Sequence, residues 1–142
     1  MKPFLSKSAE TLRNQVNLAF RDRDKRSDGW IGDARHQLQK PPSDHCPCIK
    51  TGAVRAIDID SDLGKEKNNA SYLADQLRLL AKSKKDNRIS YIIYNKKIAS
   101  RILNWKWRVY RGLDSHTSHI HISFMPAGDH DSKPFNIPLL GE

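Results

Sequence analysis

Residues 116–124, with the sequence HTSHIHISF, constrain the fold more than any other segment of this chain. Side chains along a β-strand alternate between its two faces. In a strand here, His119 and His121 would project from one face, and the apolar side chains at 120, 122 and 124 from the other. The pattern predicts a strand over 118–124 that packs its apolar face on a core and presents two neighbouring imidazoles on the opposite side.

Two polar residues upstream extend this pattern into a candidate metal site. His45 lies in the sequence SDH at 43–45, and Asp58 lies in VRAIDID at 54–60. Two or three histidines with one carboxylate, and a position left for water, form the ligand set of a catalytic zinc site. Asp60 would share a strand face with Asp58, so one of the two is the candidate ligand and the other a solvated strand end. These residues predict a zinc hydrolase.

Composition limits the class of protein. The chain has 142 residues, of which 37% are hydrophobic, so it is expected to form one globular domain over 1–142. No apolar run approaches the ~20 residues needed to span a bilayer, and no secretory signal follows the N-terminus. The formal net charge of +9 is compatible with nucleic acid, an anionic wall polymer or an anionic membrane surface.

Periodicity predicts two helices and several strands. Apolar residues at three- and four-residue spacing predict helices over about 7–22 and 70–84. Alternating or β-branched runs predict strands over 53–60, 89–94, 97–100, 107–110 and 118–124, with a turn at 95–96 and an irregular tail from Pro126. Helices separated by mainly hairpin-like strands predict an α+β fold.

The order of these motifs resembles a known family. The resembling pieces are SDGWIGDARH (27–36), SDH (43–45), VRAID (54–58), YIIYN (91–95), WRVY (107–110) and HTSHIHIS (116–123). Together they look like the zinc peptidases that cut bacterial cell-wall peptides, the D-alanyl-D-alanine carboxypeptidases and L-alanyl-D-glutamate endopeptidases (VanY-like), and most closely their phage endolysin branch. The resemblance implies the small fold shared with hedgehog signalling domains, with a mainly antiparallel sheet and flanking helices around a zinc site.

The resemblance also implies the roles of individual residues. It implies that His45, Asp58 and His121 bind zinc, and that a zinc-activated water hydrolyses an amide bond of the stem peptide. Many members have a Glu or Asp three residues before the last zinc histidine, where this chain has Ser118. His119 is therefore the candidate catalytic base. Arg35, His36, Asp33, His116 and Ser43 are candidates for binding substrate or supporting the ligands.

Three alternatives remain open from the sequence. A zinc-holding module of hedgehog type would lack catalysis, and His119 discriminates it from an enzyme. A phosphoesterase or nuclease would suit the basic charge, although its His-x-Ser/Thr motifs belong on separate strands. Cys46 and Cys48 could contribute to a structural zinc site, but one residue between thiols is shorter than the usual spacing. The two cysteines are therefore expected to be free thiols.

The expected partners follow from the family resemblance and the charge. Bacterial peptidoglycan is the expected substrate, and positive charge would draw the protein to the anionic cell envelope rather than to a specific nucleic acid. A chain made in the host cytoplasm without a signal peptide would need a holin to reach peptidoglycan in the periplasm. The protein is expected to act as a monomer, with a single peptidase domain over 1–142 and no separate cell-wall-binding domain.

Overall fold

The computed structural model describes residues 2–30, 43–64, 69–112 and 116–141. Within them the chain forms two helices, α1 and α2, and seven strands, β1 to β7. In chain order these elements are β1 (Phe4–Leu5), α1 (Lys7–Ala19), β2 (Ala53–Val54), β3 (Ala56–Asp60), α2 (Asn69–Lys82), β4 (Ile89–Tyr94), β5 (Lys97–Ser100), β6 (Arg108–Val109) and β7 (His119–Phe124). Short 3₁₀ turns cover Arg101–Leu103, Pro126–Gly128 and Pro138–Leu140.

Five strands form one antiparallel sheet in the order β3-β7-β4-β5-β6. The hairpin between β4 and β5 turns at Asn95 and Lys96, both of which have positive φ as a two-residue type I′ turn requires. A parallel pair, β1 and β2, lies outside this sheet. The predicted α+β class is therefore confirmed: two helices accompany a mainly antiparallel sheet.

The two faces of the large sheet have different roles. Ile57, Ile92 and Ile122 project from one face and belong to the core, where both helices contribute their buried apolar residues. In α1 these are Ala9, Leu12 and Val16, and in α2 they are Leu73, Ala74, Leu77 and Ala81. The opposite face of the same strands carries the polar residues of the candidate site.

Helix α1 and the strand predicted over 53–60 differ most from the sequence prediction. Helix α1 ends at Ala19 rather than near residue 22, because Phe20 leaves helical geometry and Arg23 turns inward to form an ion pair with Asp28. The single strand predicted over 53–60 is divided at Arg55. Its backbone N–H donates to Asp44 O, and its guanidinium binds Asp129, so β2 and β3 belong to different sheets.

The segment from Pro126 onward has little regular structure, as predicted, but it completes the core. Phe135 and Ile137 are almost fully buried. Gln15 on α1 bonds to both the N–H and the carbonyl of Phe135, and the guanidinium carbon of Arg88 lies 3.9 Å from the centre of the Phe135 ring. This segment therefore covers one end of the sheet and α1. No described helix has the length and apolar character of a membrane span.

Candidate metal centre

Two central strands bring the first two candidate ligands together. Asp58 on β3 and His121 on β7 are direct partners in the antiparallel register, so their side chains leave the sheet side by side on the polar face. His121 Nδ1 lies 3.3 Å from Asp58 Oδ1. The period-2 pattern of both strands therefore produces this pair without any contribution from the loops.

His45 approaches the pair from the loop before β2. Ser43 Oγ accepts a hydrogen bond from the His45 N–H at 3.1 Å, and His45 Nδ1 lies 2.8 Å from the carbonyl oxygen of Trp30. These contacts direct His45 Nε2 toward the strands, 3.2 Å from Asp58 Oδ1 and 3.1 Å from His121 Nδ1. Both histidines are buried, with 3% and 4% of their surface exposed.

The tautomers of the two imidazoles suit a cation. A carbonyl oxygen can only accept, so His45 Nδ1 carries a proton and, in a neutral ring, Nε2 has a lone pair directed at Asp58 and His121. Ser123 Oγ, 2.7 Å from His121 Nε2, can accept a hydrogen bond from that nitrogen in the same way. Two imidazole lone pairs and a carboxylate oxygen then converge, which is favourable only when positive charge lies among them.

The spacing of these three atoms fits a small tetrahedral ion. Ligands about 2.0–2.1 Å from a tetrahedral zinc are about 3.3–3.4 Å from one another. The three distances here are 3.1, 3.2 and 3.3 Å. His45, Asp58 and His121 therefore form a group that could hold a metal ion. Hydrogen bonds from the distal ring nitrogens to Trp30 O and Ser123 Oγ are the usual support of metal-binding histidines.

The pKa shifts of Asp58 and His45 also indicate that a positive charge is favourable among these side chains. Burial opposes ionisation of Asp58, but the adjacent His121 and His45 outweigh it and hold the pKa of this carboxyl well below its usual range. Burial also opposes protonation of His45, but Asp58 and the Trp30 carbonyl outweigh it and raise its pKa. Burial lowers the pKa of His121 despite the nearby Asp58, so this ring is neutral at pH 7. A carboxylate and a neutral imidazole are the forms that bind metal.

His119 lies beside this group rather than within it. Its Nε2 is 3.6 Å from Asp58 Oδ1, farther than the corresponding atoms of His45 and His121. Its ring packs edge-on against that of His116, with centroids 4.9 Å apart. His116, which has a positive φ of 55°, also contacts the His121 ring. The predicted base and one predicted supporting residue therefore adjoin the ligands directly.

Other predicted site residues have different outcomes. Ser43 lies at the site and orients the backbone of His45. Asp33, Arg35 and His36 lie outside the described residues. Asp60 is not a solvated strand end: it is 6% exposed, and its carboxylate accepts hydrogen bonds from Ser27 and from the N–H of Asp62. That network joins β3 to the segment after α1, which explains why burial of Asp60 is tolerated.

The two cysteines lie in the loop next to His45, and neither forms a disulfide among the described residues, as expected. Neither belongs to the convergent group of His45, Asp58 and His121. Hydrogen bonds from the Thr51 side chain and from nearby backbone N–H groups lower the pKa of Cys48 to about 7. The structure therefore gives no geometric support to a cysteine-ligated zinc site among the described residues.

Sequence reasoning missed two side chains that support His121. The Tyr91 ring stacks on it, with centroids 5.3 Å apart and an interplanar angle of 16°. Ser123 lies opposite Tyr91 in the register and contacts the other nitrogen of His121. Burial, with the nearby Asp44 carboxylate, raises the pKa of the Tyr91 phenol, so it is neutral at pH 7. Ser123 follows His121 by two positions on one strand, a signal that the alternation already contained.

Comparison of the chain with protein-family models, curated proteins and solved structures found no match.

Proposed function

We propose that this protein is a zinc-dependent peptidoglycan peptidase of the phage endolysin type, with the hedgehog-like fold of the cell-wall peptidases that its motifs resemble. The observation that carries the proposal is the convergence of His45 Nε2, Asp58 Oδ1 and His121 Nδ1 within 3.1–3.3 Å of one another. Their order in the chain is the order that the resemblance assigns to the zinc ligands. Two histidines and one carboxylate leave a coordination position open, as catalytic sites require.

The chain's own residues provide for hydrolysis of an amide. Zinc held by the three ligands would supply Lewis acidity to polarise the scissile carbonyl and activate water. Asp58 stays ionised, because the neighbouring imidazoles hold its pKa low, and His121 stays neutral. His119 lies next to Asp58 without being part of the ligand group, and its Nε2 accepts the proton released by the attacking water. The same atom then returns the proton to the leaving amine.

The surrounding rings hold His119 in position for this role. His116 packs edge-on against His119 and His121, and Tyr91 stacks on the ring of His121. Fixed ring orientation is valuable because a base must lie within hydrogen-bond distance of the proton that it takes. This arrangement favours an enzyme over a zinc-holding module without catalysis, in which the position next to the ligands would have no need of an imidazole.

Substrate and location follow as part of the same proposal. The net charge of +9 would bring the protein to the anionic cell envelope, and release by a holin would give it access to peptidoglycan. Lysis of outer-membrane-permeabilised Gram-negative cells tests the proposal. We expect turbidity to fall with the parent protein, to stay constant after chelation, and to fall again when zinc is restored. Lysis that is indifferent to a chelator would contradict it.

A further inference from the structure

A single row of paired residues crosses the whole sheet and joins the candidate metal centre to Arg108. Asp58 pairs with His121, His121 with Ile93, Ile93 with Ile98, and Ile98 with Arg108. Directly opposed residues project from the same sheet face. Arg108 therefore projects from the face that carries the metal ligands, on the edge strand β6.

Aromatic contacts follow the same path. Tyr110, two positions after Arg108, packs edge-on against His116 with centroids 5.4 Å apart. His116 in turn contacts both His119 and His121. The rings of Tyr110 and His116 thus lie between the metal centre and the edge strand, so the two ends of the row belong to one continuous surface.

The guanidinium of Arg108 is available for an anion. Its hydrogen bond is to a neutral group, Ser100 Oγ, at 3.5 Å, and no described carboxylate pairs with it. Among the described residues, by contrast, other arginines form ion pairs with carboxylates: Arg23, Arg26, Arg55, Arg78 and Arg88. No acidic residue occurs between positions 87 and 112, so the segment around Arg108 carries positive charge alone. An exposed arginine in such surroundings suits a planar carboxylate, which its fork of N–H groups can bind twice.

We infer that Arg108 determines substrate specificity by binding a free carboxylate of the stem peptide at a distance from the cleaved bond. This inference rests on the proposed peptidase function. Three strand spacings of about 4.8 Å separate the backbones at His121 and Arg108, a span of about 14 Å. An extended peptide advances about 3.3 Å per residue, and the arginine side chain shortens the gap. The bound carboxylate therefore lies about two to four residues from the scissile amide.

That separation favours an endopeptidase. A carboxypeptidase that removes one residue must hold the terminal carboxylate about one residue, or ~3.3 Å along an extended chain, from the cleaved bond. Arg108 is too far away for that purpose. It fits an acidic group farther along a longer substrate, so the structure assigns the enzyme to cleavage within the stem peptide.

Steady-state kinetics on two forms of one soluble stem peptide, with its carboxylates free or amidated, test the inference. The matched control for Arg108→Gln is Lys97→Gln, which removes an exposed cation from the neighbouring strand on the opposite sheet face, where Lys97 pairs with Val109. We expect Arg108→Gln to raise KM for the free-acid peptide about tenfold or more, with kcat within about twofold, since it removes charged hydrogen bonds made in the ground state. With the amidated peptide, Arg108→Gln should change KM by no more than about twofold. Lys97→Gln should change KM by no more than about twofold with either peptide.

Three results separate the inference from the proposed function. The carboxylate site would be overturned, and the peptidase function left intact, if Arg108→Gln raised KM equally for both peptides. The same conclusion would follow if Lys97→Gln raised KM for the free-acid peptide as much as Arg108→Gln does. Failure of the parent to cut either peptide would overturn the peptidase. Calorimetric binding of the same peptides to zinc-loaded protein then decides the site by itself: preference for the free acid that is lost in Arg108→Gln supports it, and equal affinity in parent and variant contradicts it.

Discussion

His45 Nε2 and His121 Nδ1 lie 3.1 Å apart, although 76 positions separate the two residues in the chain. Asp58 Oδ1 is within 3.3 Å of both atoms. Because these lone pairs and the negative charge lie so close together, the folded protein is expected to bind a cation. A ligand that binds only the folded state stabilises that state. The structure therefore predicts that metal binding affects both the stability and the activity of the protein.

Metal content is the first prediction. Protein purified without added metal is expected to hold about one equivalent of zinc by elemental analysis. His121→Ala should lose the metal, since it removes a ligand from the buried group. Zinc at about 100 times its dissociation constant should stabilise the parent by about 2.7 kcal/mol, seen as a higher Tm. His130→Ala, which changes an exposed histidine outside the group, should keep both properties. Equal zinc content in all three proteins would contradict the assignment.

His119 separates catalysis from metal binding. His119→Ala should keep its zinc and its fold, because its ring lies outside the ligand group. Peptidase activity should fall on the order of 10²–10⁴-fold, the usual cost of losing a general base or oxyanion partner. His45→Ala should instead lose metal and activity together. Full activity in His119→Ala would show that the base lies elsewhere.

Ser123 is expected to act through His121. Its hydroxyl contacts His121 Nε2 at 2.7 Å in a fully buried position. Ser123→Ala should weaken zinc affinity about 10–100-fold, as loss of a supporting hydrogen bond typically does. Competition with a chromophoric chelator measures this change, and Ser132→Ala, an exposed serine near the C-terminus, is the control. Unchanged affinity in Ser123→Ala would mean that the hydroxyl does not orient the ligand.

Asp75 gives a pH-dependent contribution to stability remote from the metal. Burial opposes ionisation, but hydrogen bonds from Trp107 Nε1 and Arg78 Nε outweigh it and lower the pKa of this carboxyl. A lowered folded pKa stabilises the protein above the ordinary aspartate value, and this contribution is lost as pH falls below about 4. Asp75→Asn should reduce the free energy of unfolding by about 1 kcal/mol or less at pH 7, because Asp75 is partly solvated.

Urea unfolding at pH 7 and pH 3, followed by tryptophan fluorescence, checks this prediction. The difference between the parent and Asp75→Asn should shrink at pH 3, where the protonated acid resembles the amide. A difference that is as large at pH 3 as at pH 7 would show that the charge of Asp75 is not its cause.

Period-2 and helical patterns accounted for the parts of the fold that depend on local sequence. The alternation of 119–124 and 56–60 gave the correct sheet faces for His121 and Asp58, because a strand's pleat fixes those directions. The position of His45 could not be derived in this way. It depends on a hydrogen bond to the carbonyl of Trp30, 15 positions away. A contact between such distant loop residues cannot be predicted from the local hydrophobic pattern.

Long-range contacts also explain the remaining differences. Asp60 reads as a polar strand end, but its partners Ser27 and Asp62 make burial favourable. The division between β2 and β3 depends on Arg55 binding Asp129, 74 positions later. Ion pairs of this kind join two segments whose local sequences do not predict that they lie next to each other. The sequence therefore predicts elements and faces better than the loops that complete a site.

Digestion of purified peptidoglycan, with the fragments identified by mass spectrometry, tests the central claim most directly. The zinc-loaded parent should release fragments with new amino and carboxyl termini within the stem peptide and with intact glycan chains. His121→Ala should release none. New reducing sugar ends, or intact peptidoglycan after incubation with protein that demonstrably holds zinc, would contradict the account.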